Sequence, residues 1–140
     1  MKEIGCGRYG VRKMRNTILI VDDVEGWRNY HSQMMNELFE APEIQTAICA
    51  REGYAKLLQN NNSPFDIILT DLQMETDFEP KYAGEWFVEQ IKTFSKYYKT
   101  KIVIISATNN ISHIAENLGV DFIPKGRAIN FPECYNILTN

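Results

Sequence analysis

The sequence predicts an α/β domain built on a five-stranded parallel sheet, doubly wound with helices on both faces. Apolar runs of strand length alternate with stretches of helical periodicity from residue 17 onward. The run Phe65–Thr70 is apolar over nearly its whole length, as strands covered on both faces are. Strict strand–helix alternation implies right-handed crossovers and parallel pairing, because each return helix crosses a face of the sheet.

The elements follow in order. Thr17–Val21 is the first strand. Trp27, Tyr30, His31, Met34, Met35, Leu38 and Phe39 then recur at alternating intervals of three and one, which puts them on one face of a helix. Ala41-Pro42 turns the chain into a second strand, Ile44–Ala50, and a short helix over Arg51–Gln59 with Tyr54, Leu57 and Leu58 inward. Asn60-Asn61-Asn62-Ser63-Pro64 has turn chemistry and leads into the third strand, Phe65–Thr70.

Residues 72–82 form an irregular acidic loop, after which Gly84–Tyr97 offers Trp86, Phe87, Ile91 and Phe94 on a helical stripe. Lys101–Ser106 is the fourth strand. Asn109 or Asn110 caps a helix through Ile111, Ile114, Ala115 and Leu118, which Gly119 stops. Val120–Pro124 is the fifth strand and Pro132–Leu138 a final short helix.

Composition narrows the classes of function. At 140 residues the chain is most simply one folded domain over 16–140, preceded by a basic extension over 1–15. That extension holds five basic residues against Glu3, net +4, and the remainder holds 10 basic against 17 acidic, net −7. An acidic domain is a poor partner for nucleic acid, whose phosphates dominate affinity. No apolar stretch approaches the ~20 residues a membrane span requires, and no secretory signal core follows the basic residues. Cys6, Cys49 and Cys134 are odd in number and widely spaced, which argues against a disulfide framework or a zinc site. A cytoplasmic setting is expected.

Two features are set aside. Gly5-Cys6-Gly7-Arg8-Tyr9-Gly10 matches the dinucleotide fingerprint literally, but that mechanism needs a strand before the turn, and four residues cannot supply one. His31 lies on the apolar face of the first helix and His113 in an amphipathic helix, without a second ligand at helical spacing, so each reads as a packed side chain.

The chemistry lies at strand ends. Asp22 and Asp23 close the first strand and Asp71 closes the third. In a parallel α/β sheet these ends share the edge where ligands bind. Two like charges 4 Å apart cost roughly 4 kcal/mol at an effective dielectric near 20, so a cation is needed, and Mg²⁺, an oxygen-seeking ion, is the natural one. The fourth strand ends in Ser106-Ala107, and the fifth leads through Phe122-Ile123-Pro124 into Lys125. Acids, a hydroxyl and an amine therefore converge on one edge.

With these residues in place, the chain resembles a two-component response-regulator receiver domain of the stand-alone, chemotaxis type. The resemblance covers roughly 16–140 and rests on Ile18-Leu19-Ile20-Val21-Asp22-Asp23, Ile67-Ile68-Leu69-Thr70-Asp71-Leu72-Gln73-Met74, Ile104-Ile105-Ser106-Ala107 and Gly119-Val120-Asp121-Phe122-Ile123-Pro124-Lys125. It implies a flavodoxin-like sheet of order 2-1-3-4-5 and Asp71 as phosphoacceptor. It also implies a Mg²⁺ site made by Asp22, Asp23, Asp71 and the Gln73 backbone carbonyl. Lys125 and Ser106 would bind phosphoryl oxygens, and Ser106 and Phe122 would form the switch. The implied partners are a sensor histidine kinase or histidine phosphotransfer protein and a downstream protein target. The implied activity is self-catalysed phosphorylation and dephosphorylation, not turnover of an external substrate.

The chain departs from the family pattern in four places, one of them a short final helix that weakens the family's usual dimerisation and output face. The segment 75–83 between Met74 and Gly84 is longer than usual. Gly126 follows Lys125 where the family usually has proline, leaving the backbone freer. Phe122 replaces the commoner tyrosine, making the switch purely steric. Two other readings compete. One is a receiver-like adaptor that is never phosphorylated. The other is an aspartyl-phosphate phosphatase, which needs an acid two residues after its nucleophile; Val24 and Gln73 occupy those places.

Overall fold

The structure is a computed structural model that describes residues 16–74 and 82–139. The basic extension, its glycine-rich hexapeptide and most of the inserted loop lie outside the described residues. Strand β1 is Thr17–Val21, β2 Glu43–Ala47, β3 Ile67–Thr70, β4 Lys101–Ser106 and β5 Asp121–Pro124. Helices are α1 Glu25–Leu38, α2 Ala50–Gln59, α3 Ala83–Thr93, α4 Ile111–Leu118 and α5 Lys125–Asn130, with 3₁₀ turns at Ser95–Tyr97 and Pro132–Thr139.

All pairings are parallel and the order is β2-β1-β3-β4-β5, the doubly wound sheet expected from the sequence. The register places Val21 beside both Ala47 and Thr70, and Thr70 beside Ile104. Ends of β1 and β3 therefore emerge at one level, and β4 runs two residues further to Ser106. The chain reverses its direction of winding between β1 and β3, the position where such sheets leave a crevice at their carboxyl edge.

Strand alternation divides the core into two layers. Leu19, Val21, Ile68, Ile102 and Ile104 pack under α2, α3 and α4 with Leu57, Phe87, Ile91 and Ala115. Ile18, Ile20, Ile67, Leu69, Val103, Ile105 and Ile123 pack under α1 and the C-terminal segment with Met35, Ala128 and Tyr135. Both faces of the three central strands are thus covered.

Several boundaries differ from expectation for physical reasons. β2 ends at Ala47, not Ala50: the Ile48 N–H is taken by Glu52 Oε1 at 2.6 Å, which draws the chain off the sheet and opens α2. Leu58 is 55 % exposed, contrary to expectation. The inward positions of α2 are Ala50, Gly53 and Leu57, and a Cβ at Gly53 would meet Phe87 Cζ at 2.9 Å, so the missing side chain sets the close approach of α2. Trp86 is half-exposed, and Val88 joins Phe87 and Ile91 in the core. α3 ends at Thr93, with Phe94 as its cap.

Asn110 sits at the start of α4 without capping through its side chain, whereas Gly119 ends that helix in the left-handed region at φ 71° as expected. Lys125–Asn130 is an unanticipated short helix, hidden because Ala128 is its only buried residue. The final short helix is present, as a 3₁₀ helix over Pro132–Thr139. His113 is exposed on α4, bonded to Asn117 at 3.3 Å, and not packed. No helix among the described residues is long and apolar enough to cross a membrane.

Candidate functional site

Burial and charge meet at the carboxyl ends of β1 and β3. Asp22 is 1 % and Asp71 5 % exposed, and Asp23 is half-buried. Each of the three offers a carboxylate oxygen, and those oxygens all lie within 4.8 Å of one another. Sheet register does this: Asp22 and Asp71 each follow directly on paired residues, Val21 and Thr70, and the Asp71 N–H donates to Val21 O at 3.0 Å.

Main-chain donors fix the carboxylates. Val24 N–H donates to Asp22 Oδ1 at 2.9 Å, and Leu72 N–H donates to Asp71 Oδ1 at 2.7 Å. Arg28 anchors the β1–α1 turn by donating to the Asp22 carbonyl at 2.9 Å.

Lys125 spans the crevice from β5. Its ammonium donates to Asp71 Oδ2 at 2.9 Å and stands 3.1 Å from Asp22 Oδ2. The second contact is an ion pair, and Asp22 Oδ2, which is buried, has no other partner among the described residues. Burial is the largest influence on Asp22 and pushes its pKa up; the neighbouring Asp71 charge adds to this, while Val24 and Lys125 oppose it. Burial alone would lower the Lys125 pKa, but the hydrogen bonds and charges of Asp71 and Asp22 outweigh it and the pKa rises. Three carboxylate oxygens converge here, and among the described residues the buried Asp22 Oδ2 has only the Lys125 ammonium beside it. An all-oxygen set of this kind fits a hard divalent cation such as Mg²⁺.

Ser106, at the end of β4, is buried. Its hydroxyl shares a hydrogen bond with the Thr108 hydroxyl at 2.9 Å and accepts the Thr108 N–H at 3.2 Å. Phe122 pairs with Ile104, two residues before Ser106, so both side chains belong to one face of the sheet. Phe122 is 37 % exposed. Gln73 is exposed two residues beyond Asp71.

Two residues of the site escaped the sequence reading. Trp27, assigned to the core by its spacing, is half-buried, and Lys125 Nζ lies 4.9 Å from its ring centroid. Gly84 donates its N–H to Leu72 O at 3.0 Å, and a Cβ there would collide with the Asp71 carbonyl oxygen. The adjacent sequence signal was the glycine at the start of a predicted helix.

A parallel sheet of this order, with acids at its reversal point and a lysine reaching across them, is the architecture of a receiver module. The chain belongs to the response regulator receiver domain family, whose family model matches residues 18–128. Among solved structures it is similar to the chemotaxis response regulator CheY4 of Vibrio cholerae, at 23 % identity and TM-score 0.65, over 80 % of this chain and 88 % of that one. It is also similar to the phosphorylated cyanobacterial phytochrome response regulator RcpA, at 22 % identity and TM-score 0.69, over 89 % of each chain. A third likeness is the response regulator TrrA of Thermotoga maritima in complex with Mg(2+)-BeF, at 22 % identity and TM-score 0.66, over 88 % of this chain and 98 % of that one. No curated protein matches the chain in sequence.

Proposed function

We propose that this receiver domain accepts a phosphoryl group on Asp71, in a Mg²⁺-dependent reaction, from a histidine kinase or histidine phosphotransfer protein. The observation that carries the reading is Lys125, whose ammonium contacts Asp71 Oδ2 at 2.9 Å within a cluster of three convergent carboxylates. A lysine placed there neutralises charge where an anionic group would arrive, and phosphoryl transfer depends mainly on positioning and charge neutralisation.

In the proposed step an Asp71 oxygen forms a bond to phosphorus as the bond from phosphorus to the donor histidine nitrogen breaks. The electron pair leaves with the imidazole. Asp22, Asp23, Asp71 and the Gln73 carbonyl would hold Mg²⁺, which when bound supplies Lewis-acid charge to the phosphoryl oxygens. Lys125 exchanges its contact with Asp71 for one with a phosphoryl oxygen. Ser106 gives up Thr108 and donates its hydroxyl to another. The space it vacates on that face of the sheet admits Phe122, converting a local charge into a changed surface. Phosphorylation thereby biases a two-state equilibrium and acts through protein contacts.

Intact-mass spectrometry after incubation with acetyl phosphate and Mg²⁺ tests the reading. One added phosphoryl group on the wild type and none on Asp71→Asn is expected. An unmodified wild type would leave binding without phosphorylation as the function.

A further inference from the structure

Lys125 carries a flexible cation into the site. It opens α5, and a Cβ at the following Gly126 would meet nothing within 4 Å. Its side chain has four rotatable bonds, yet only about a tenth of it is exposed. Something beyond the two carboxylates must hold it. Of the two, Asp71 cannot hold it throughout the proposed reaction, since Asp71 is the group that changes.

The third contact is the face of Trp27, 4.9 Å from Nζ to the ring centroid. A cation within about 6 Å of an indole face is attracted by the ring quadrupole. That ring is itself fixed. It lies in the first turn of α1, edge-on to Tyr30 at 5.8 Å and tilted against His31 at 5.4 Å. Tyr30 donates to Ala128 O at 2.8 Å, and His31 bonds the Tyr135 hydroxyl at 2.8 Å, so the cluster is anchored to the segment that carries Lys125.

We infer that Trp27 is the positioning residue for Lys125, a cation–π seat that keeps the ammonium at the site while its anionic partner changes from the Asp71 carboxylate to a phosphoryl oxygen. A ring face suits this task because its attraction is broad in angle. The ammonium can turn between acceptors over the indole without leaving it, whereas a hydrogen-bond acceptor in the same place would favour one direction. Trp27 touches no reacting atom and acts only through Lys125. This inference rests on the phosphoacceptor reading of Asp71.

The test uses the full chain with Trp86→Phe, so that Trp27 is the only tryptophan. Trp27 is replaced biosynthetically by mono-, di-, tri- and tetrafluorotryptophan, which drains the ring quadrupole with little change in shape. The rate of phosphorylation by acetyl phosphate is expected to fall stepwise along the series, by roughly 3- to 30-fold at its end. Trp27→Leu should match that end point and Trp27→Phe lie between. Ring-current shifts give a readout independent of phosphate and metal: the Lys125 ε-methylene protons should lie upfield of every other lysine and return to the ordinary range in Trp27→Leu.

A flat rate series in a protein that is phosphorylated would overturn the inference, because simple packing survives fluorination. So would an ordinary Lys125 shift. If the wild type accepts no phosphate while the upfield shift is present, the phosphoacceptor reading fails and the positioning role falls with it.

Discussion

Gly84 rests against the main chain of Asp71. Its N–H donates to Leu72 O at 3.0 Å, and a Cβ in its place would collide with the Asp71 carbonyl oxygen and stand 2.7 Å from Leu72 Cα. The neighbours are backbone atoms of a β-strand end, so they cannot swing aside as a long side chain would. Gly84→Ala must therefore push α3 away or shift Asp71 itself. Overpacking of this kind costs typically 1–3 kcal/mol and occasionally more, and a loss of about 3 kcal/mol is expected in urea unfolding. The same variant should lose phosphate acceptance even under conditions where it is fully folded.

Asp22 carries the clearest electrostatic cost. Burial and the charge of Asp71 raise its pKa despite Val24 and Lys125, so the ionised form is less favourable in the folded chain than in the unfolded one. A raised carboxylate contributes stability that is present below its unfolded value of 3.8 and lost as pH rises through the folded value. At neutral pH the wild type has lost it. Asp22→Asn is isosteric, keeps an acceptor for Val24 N–H, and leaves Lys125 its partner Asp71. The variant should be more stable than wild type at pH 7 without metal, and the gap should close in acid. Added Mg²⁺ should raise the urea midpoint of wild type alone, since a ligand stabilises only the state that binds it.

The sequence made the sheet legible because burial on both faces leaves long apolar runs, and β1 and β4 match their expected bounds. It made the convergence of Asp22, Asp71 and Lys125 legible because parallel register brings strand ends together, whatever the loops do. Trp27 was not legible as a site residue. Helical spacing places it with Tyr30 and His31 on the inner face of α1, where it packs against the core as expected, but spacing does not show that its ring also meets Lys125. The close approach at Gly84 was hidden for a different reason: a missing side chain leaves no pattern, and the long loop before it masks its proximity to Asp71. α5 escaped because six residues with one buried position have no periodicity to read.

Ser106 is held by Thr108 through both the side chain, at 2.9 Å, and the backbone, at 3.2 Å. Movement of the hydroxyl toward a phosphoryl group must break the first of these. A neutral hydrogen bond contributes a net 0.5–1.5 kcal/mol, so removing it should shift the equilibrium toward the engaged form by roughly 2- to 10-fold. Thr108→Val keeps the shape and the backbone donor while deleting the hydroxyl. Tighter binding of beryllofluoride, measured by Phe122 ring shifts in NMR titration, is the expected outcome; unchanged or weaker affinity would show that Thr108 does not restrain Ser106.

His31 makes the domain sensitive to mild acid. It is 2 % exposed, and burial, with the charge of Lys125 adding to it, lowers its pKa from 6.5 to about 3. A depressed histidine is neutral in the folded chain and charges only on unfolding. Above pH 6.5 both states are neutral and nothing is lost. As pH falls below 6.5 the unfolded chain binds a proton that the folded chain refuses, and stability declines by up to about 1.4 kcal/mol per pH unit. The unfolded histidine titrates through the interval from pH 6.5 to 5, with a predicted loss of about 2 kcal/mol. The control must remove both members of the buried pair, because His31→Phe alone would strand the Tyr135 hydroxyl, which is fully buried and bonded to Nδ1 at 2.8 Å. His31→Phe with Tyr135→Phe preserves the ring volumes and leaves no orphaned donor. Urea unfolding of that double variant should be flat between pH 6.5 and 5, and a slope equal to wild type would assign the acid sensitivity to another group.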